Sequence, residues 1–194
     1  MKIFFPLHGY DIRMIGLLVF LFGVFVTLGM CGLAAKSDYK GFKIPNITSI
    51  VIILAFAVTY AVLSVTGQKD VFFKPIGLHL GAAFLVFMMT SVLYATQKLG
   101  AGDSKFATAV SLWVGTSGLI PFLFYMSLAG GFIALISLYL QKKKPFLSPP
   151  EGGWIDSAQK GGSKVPYGIA IAIGAFFSFL YSGFFSLTKW ESFF

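Results

Sequence analysis

The chain has 194 residues, of which 57% are hydrophobic and 11% charged, with a formal net charge of +8 and a mean hydropathy of +0.83. Soluble domains are about 45–50% apolar and about 25% charged, so this balance excludes a soluble enzyme, and spans of about 20 apolar residues each leave no room for a large second domain. One cysteine (Cys31) and two histidines (His8 and His79) exclude an internal disulfide, a cysteine cage for zinc and a His-rich metal site.

Charged residues bracket the apolar runs. The first run lies between Arg13 and Lys36, the second between Lys43 and Lys69, and the third between Lys74 and Lys98. Each has the length of one helical span. The run from Phe106 to Gln141 would extend about 54 Å as one helix, well beyond a hydrocarbon core of about 30 Å. It therefore reads as two spans, broken where Gly115, Gly118 and Pro121 punctuate the pattern. Between them and the last run, Lys164 to Lys189, lies a segment rich in Pro and Gly (142–164), expected to be irregular and partly mobile. The first run is too long for the apolar stretch of a signal peptide. The expected fold is all-α: a bundle of six transmembrane helices in a single integral-membrane domain, 1–194.

Six spans place both termini on one side. The loops 34–46, 96–105 and 141–165 carry ten lysines, whereas the other side carries only Lys2, Arg13, Lys69, Lys74 and Lys189. The positive-inside rule puts those three loops in the cytoplasm and both termini on the non-cytoplasmic side. The basic excess bears on topology and on anionic lipid at the cytoplasmic face; no nucleic-acid partner is expected.

The acids number seven, and two stand out. Asp38 closes the first span and Asp103 opens the fourth, both at the cytoplasmic edge. Carboxylates at a membrane boundary are costly unless paired or used. Two that cannot both ionise share one proton, so one can act as base toward water while the other acts as acid. Each also has a plain structural reading: Asp38 as a loop charge among Lys36, Lys40 and Lys43, Asp103 as a helix cap, Gly100 and Gly102 as turn residues, and Pro45 as an ordinary first-turn proline.

The joint spacing favours function. Asp38 is followed after five residues by Ile44-Pro45-Asn46, and Gly100-Ala101-Gly102-Asp103 is followed by Ser104-Lys105. This pair of motifs resembles the GxGD intramembrane aspartyl proteases, and within them the type IV prepilin peptidases. Lys164-Val165-Pro166-Tyr167-Gly168 is similar to that family's Pro-aromatic-Gly segment. Ser104 stands where the family usually has a hydrophobic residue. The cysteine quartet of larger members is missing, so the resemblance is to the compact branch serving Tad-type (Flp) pili, without N-methyltransferase activity.

The resemblance implies Asp38 and Asp103 as catalytic residues. Gly100, Gly102, Lys105, Pro45 and Asn46 would bind substrate or support the site, the two glycines letting a substrate backbone come close. It implies no metal and no organic cofactor. The partners would be single-span pilin precursors whose short basic leader is removed at the cytoplasmic face of a bacterial inner membrane. The alternative is a small ion-coupled transporter using the same acids, but such sites lie near the midplane, where these spans carry none. Gly115-Thr116-Ser117-Gly118 resembles a rhomboid serine motif, yet no histidine follows position 79 to serve as its base. His79 reads as a polar packing residue.

Overall fold

The computed structural model describes residues 7–194, with side chains from Ile12 onward. Lys2 and the side chains of His8 and Asp11 lie outside the described residues. The described chain is all-helical: α1 (Leu7–Gly41), α2 (Asn46–Val65), α3 (Lys69–Phe72), α4 (Ile76–Ala95), α5 (Ala101–Lys143), α6 (Trp154–Gln159), α7 (Tyr167–Tyr181) and α8 (Leu187–Glu191). Four helices are long and apolar enough to cross a membrane, namely α1 from Ile12, α2, α4 and α5; α7 is a shorter apolar helix. Phe22, Phe25, Leu54, Val58, Phe84, Met89, Phe124, Phe132 and Leu135 all point outward. Helices that are apolar outside as well as inside need lipid as their solvent, and the chain is a multi-pass membrane protein.

The 43 residues of α5 do not run straight. At Gly115 the backbone takes φ 57° and ψ −168°, a region open almost only to glycine, and the helix folds back on itself. Contacts with α7 fix the directions. Gly102 and Gly168 both abut Ile44 at one end, and Trp113 meets Phe179 at 5.9 Å toward the other, so the first limb (101–114) runs parallel to α7. Beyond the fold, Ser178 Oγ donates to the Gly118 carbonyl at 2.9 Å. Gly174 then lies against Phe122 and Met126, and Gly130 against Ala170 and Tyr167. The second limb (116–143) is therefore antiparallel to α7. The reversal needs one residue rather than the Gly115 to Pro121 stretch, and Pro121 stays inside the helical second limb.

The core sits where α1, α2, α5 and α7 meet, around Phe20, Val24, Ile52, Phe56, Phe106, Val110, Trp113, Ile171 and Phe179. Trp113 donates its indole N–H to the Ile52 carbonyl at 3.1 Å, so its large buried ring leaves no polar atom unmet. At the end of the bundle away from the two aspartates, Phe72, Phe73, Phe184 and Phe193 close over Phe20. His79 is buried beside Phe56, Tyr60 and Phe73, as a packing role requires. Its Nδ1 bonds the Leu112 carbonyl at 2.6 Å and its Nε2 accepts the Lys74 N–H at 3.1 Å.

The segment 142–164 is more ordered than its composition predicts. It contains α6, whose Trp154 donates to Ser137 Oγ at 2.8 Å. Gln159 bonds both the N–H and the carbonyl of Phe146, and Asp156 pairs with Lys160 at 2.8 Å. These bonds reach across the segment to itself and to α5, where local sequence pattern carries no trace of them.

Candidate functional site

Asp38 lies near the C-terminal end of α1, which closes at Phe42 in a left-handed turn (φ 52°). Only 4% of Asp38 is exposed. Its Oδ2 accepts the Gly168 N–H at 2.7 Å, and that N–H is free because Gly168 stands in the first turn of α7, behind the N-cap Pro166. An aspartate costs about 2.5–3.5 kcal/mol at the centre of a membrane helix on insertion scales, an upper bound for Asp38 near the end of α1. A hydrogen bond to a charged group contributes about 1.5–3 kcal/mol, and the positive end of the α7 dipole adds to it. Both favour the carboxylate and oppose the cost of burying Asp38.

Asp103 is the third residue of α5. Its Oδ2 accepts the Gly100 N–H at 3.1 Å, bracing the helix start. Its Oδ1 is buried with no hydrogen-bond partner. Buried carboxylate oxygens are rarely left so in native proteins without a purpose.

Asp38 and Asp103 line the same two cavities. One of about 800 Å³ opens between the end of α4 and the start of α7, past Tyr94, Lys98, Lys164 and Tyr167. The other, of about 520 Å³, opens past Phe42, Ile44, Pro45 and Asn46. Both also touch Gly100. The two carboxyls thus sit where two openings meet, at one end of the bundle rather than at its middle.

The other residues singled out in the sequence gather around this point. Pro45 is the N-cap of α2 and its carbonyl accepts the Thr48 N–H at 3.0 Å. Lys105 Nζ donates to Asn46 Oδ1 at 3.1 Å, tying the start of α5 to the start of α2. The space beside each glycine is already taken by the protein itself. A Cβ on Gly100 would stand 2.9 Å from Asp103 Oδ2, and one on Gly102 would stand 3.3 Å from Ile44 Cβ. These glycines let the chain pack its own aspartate and Ile44, a use that spacing alone did not distinguish from close approach of a substrate.

Gly168 is the residue whose part was missed. A Cβ there would come within 3.0 Å of Asp38 Oδ2, Asp38 Cβ and Ile44 Cδ1. The signal was present in Pro166-Tyr167-Gly168, since a proline just before a helix marks free N–H groups one turn on. Ser104, the departure from the expected apolar residue, is buried and shares a hydrogen bond of 2.8 Å with Thr90 Oγ1 on α4.

Chemically, the site offers two carboxyls, one with an unengaged oxygen, on the walls of cavities of about 800 and 520 Å³. It can accept a proton from water at one carboxyl and supply one at the other. A family model described as the type IV leader peptidase family matches residues 25–135, a stretch that includes both aspartates and ends before Gly168. No curated protein and no solved structure gives a significant match.

Proposed function

This chain belongs to the type IV leader peptidase family, and from that membership we propose that it is an intramembrane aspartyl endopeptidase that removes the short basic leader of type IV pilin-like precursors. Asp38 and Asp103 hold a water between them. One carboxylate takes a proton from that water as its oxygen attacks the scissile carbonyl carbon. The other carboxyl, protonated, donates to the carbonyl oxygen as the tetrahedral intermediate forms. Its collapse breaks the C–N bond: the departing nitrogen receives the proton taken from water, and the hydroxyl formed from the carbonyl oxygen returns its proton to the carboxylate that supplied it.

The observation that carries this reading is the pair of aspartates on the walls of the same two cavities, with Asp103 Oδ1 buried and unengaged. Lys105, Asn46 and Pro45 hold the starts of α2 and α5 in register behind them. Gly100 and Gly102 let those segments close on the site. The apolar segment of a single-span precursor enters from the bilayer beside α4, and the leader is cut at the cytoplasmic face of the inner membrane for pilus assembly. In this topology the two limbs of α5 each cross, giving six spans with α1, α2, α4 and α7 and both termini outside. A transporter would place its acids near the midplane on broken helices, and these lie at one end.

Co-expression with a candidate pilin precursor tests the function. Wild type shortens the precursor, whereas Asp38→Asn and Asp103→Asn each leave it full length while still inserting in the membrane, because Asn keeps the shape and removes the titratable proton. Full cleavage by either variant would overturn the assignment.

A further inference from the structure

A third cavity, of about 300 Å³, lies at the opposite end of the bundle from the aspartates. Two lysines reach it, Lys74 from the turn before α4 and Lys189 from α8. Lys189 is half-buried; its Nζ donates to the Ser182 carbonyl at 2.8 Å and stands 5.6 Å from the Phe72 ring. One bond leaves that ammonium two N–H groups to spare. Lys74 is fixed at its backbone, its N–H donating to His79 and its carbonyl accepting the Tyr60 hydroxyl at 3.3 Å. Among the described residues no carboxylate stands within 4.0 Å of either ammonium.

The remaining polar groups on the wall sharpen this picture. Asp70 also lines the cavity, but its side chain is 85% exposed and faces Lys69 at 3.6 Å. Both ring nitrogens of His79 are committed. Ser182 Oγ is buried with no partner, and Ser117 brings a second hydroxyl. Burial and the nearby charge of Lys74 hold the Lys189 ammonium below its ordinary value. Two lysines and an unpartnered hydroxyl line one cavity, and the carboxylate on its wall, Asp70, is turned to Lys69.

We propose that this cavity binds a phosphate-bearing anion, the phosphoglycerol headgroup of an anionic lipid. A phosphate presents enough acceptor oxygens for both ammonium groups and the Ser182 hydroxyl at once, and lysine is a common point-charge partner for it. The cavity lies at the end of membrane-spanning helices, the depth at which headgroups sit, and two lysines there complement an anionic headgroup by charge. A choline headgroup would bring a fixed cation against two lysines.

Native mass spectrometry of the full chain tests this with phosphatidylglycerol, phosphatidylcholine and inorganic phosphate as probes. At about 1 kcal/mol per lysine, phosphatidylglycerol should be retained at least about fivefold over phosphatidylcholine, and Lys74→Gln should lose about that factor. Ser182→Ala should lower the same ratio. Lys189→Gln removes the bond to the Ser182 carbonyl and can unfold the end of α7, so the first two variants, whose side chains hold nothing in place, carry the test. Displacement of the lipid by millimolar inorganic phosphate would support the same phosphate chemistry with a free anion as its source, whereas insensitivity to phosphate would assign the site to the lipid. An unchanged lipid ratio in both Lys74→Gln and Ser182→Ala would overturn the proposal.

Discussion

The N–H of Gly168 donates to Oδ2 of Asp38 at 2.7 Å, joining residues 130 positions apart. This bond sets where one of the two carboxyls lies, and it works only because position 168 has no side chain. A methyl group there would come within 3.0 Å of the oxygen it should serve.

Gly168→Ala should therefore displace Asp38 while leaving it present and titratable. Misplacement of a reacting group by about 1 Å can cost on the order of 10²-fold in rate, and precursor cleavage should fall by about that much. The comparison is with Ala170→Gly on the same helix, which should cleave near the wild-type rate. Wild-type cleavage by Gly168→Ala, with membrane insertion matched by immunoblot, would show that Asp38 is not held as described.

The two aspartates were legible because this chain has so few acids. With seven in all, each could be weighed, and the spacing to Ile44-Pro45-Asn46 and Gly100-Ala101-Gly102 did the rest. The Gly168 donor was harder to see, since a backbone N–H has no letter of its own. The fold of α5 at Gly115 was legible as a break but not as a reversal within one residue, because a glycine in sequence does not announce its φ. Helix α6 was invisible: Trp154, Gln159 and Asp156 are held by Ser137, Phe146 and Lys160, and no hydrophobic period marks six residues. Apolar residues on a lipid-facing side look the same in sequence as those in the core, so the way the helices pack was not legible.

The Ser104–Thr90 pair should behave as a coupled unit. Ser104 Oγ has Thr90 as its partner at 2.8 Å, whereas Thr90 Oγ1 also bonds the Val86 carbonyl at 2.7 Å. Thr90→Val strands a buried hydroxyl, costing about 1–3 kcal/mol. Ser104→Ala leaves Thr90 still satisfied and should cost about 0.6 kcal/mol, the average for polar pairs between membrane helices. Unfolding by denaturing detergent in mixed micelles should find Thr90→Val the worse single variant, and the double variant more stable than Thr90→Val alone. Additive losses would mean that the hydroxyls do not pair.

The segment around α6 should hold its order across a wide pH range. Hydrogen bonds from Lys160 and from the Gly152 N–H draw the Asp156 carboxyl below its ordinary value, and Asp156 raises the Lys160 ammonium above its own. A depressed acid contributes stability that is full above its unfolded value of about 3.9 and lost as pH falls through the folded one. A raised base contributes stability that is full below its unfolded value of about 10.4 and lost as pH rises through the folded one. Amide protection over residues 154–159, corrected for intrinsic exchange, should thus stay flat from about pH 5 to about pH 9. Asp156→Asn should lower it throughout. Protection that fell between those limits in wild type would assign the order to another group.

Gly115→Ala should be among the most damaging single substitutions outside the aspartate site. The backbone at φ 57° and ψ −168° costs about 1–3 kcal/mol for a residue with a side chain. The added methyl would also stand 2.9 Å from the His79 ring, whose two hydrogen bonds hold it in place. A loss of at least about 2 kcal/mol in detergent is expected, against a small change for Gly131→Ala, where a Cβ meets nothing within 4 Å.

The proposed topology fixes where new thiols should be reached by an impermeant reagent. Cys31 is 2% exposed, so the wild-type background is quiet and Cys31→Ser keeps it so. Position 153 is a poor reporter because Gly153 is buried against the backbone of Tyr39 and Lys40. Leu147, in the same segment, is fully exposed, and Asp70 is 85% exposed at the other end of the bundle. With the 141–165 loop cytoplasmic and the turn before α4 outside, Asp70→Cys should label in intact cells and Leu147→Cys only after the membrane is opened. Both follow from the ten-to-five division of lysine and arginine between the two sides. Labelling of Leu147→Cys in intact cells would place the two aspartates at the outer face, where a leader held in the cytoplasm could not reach them.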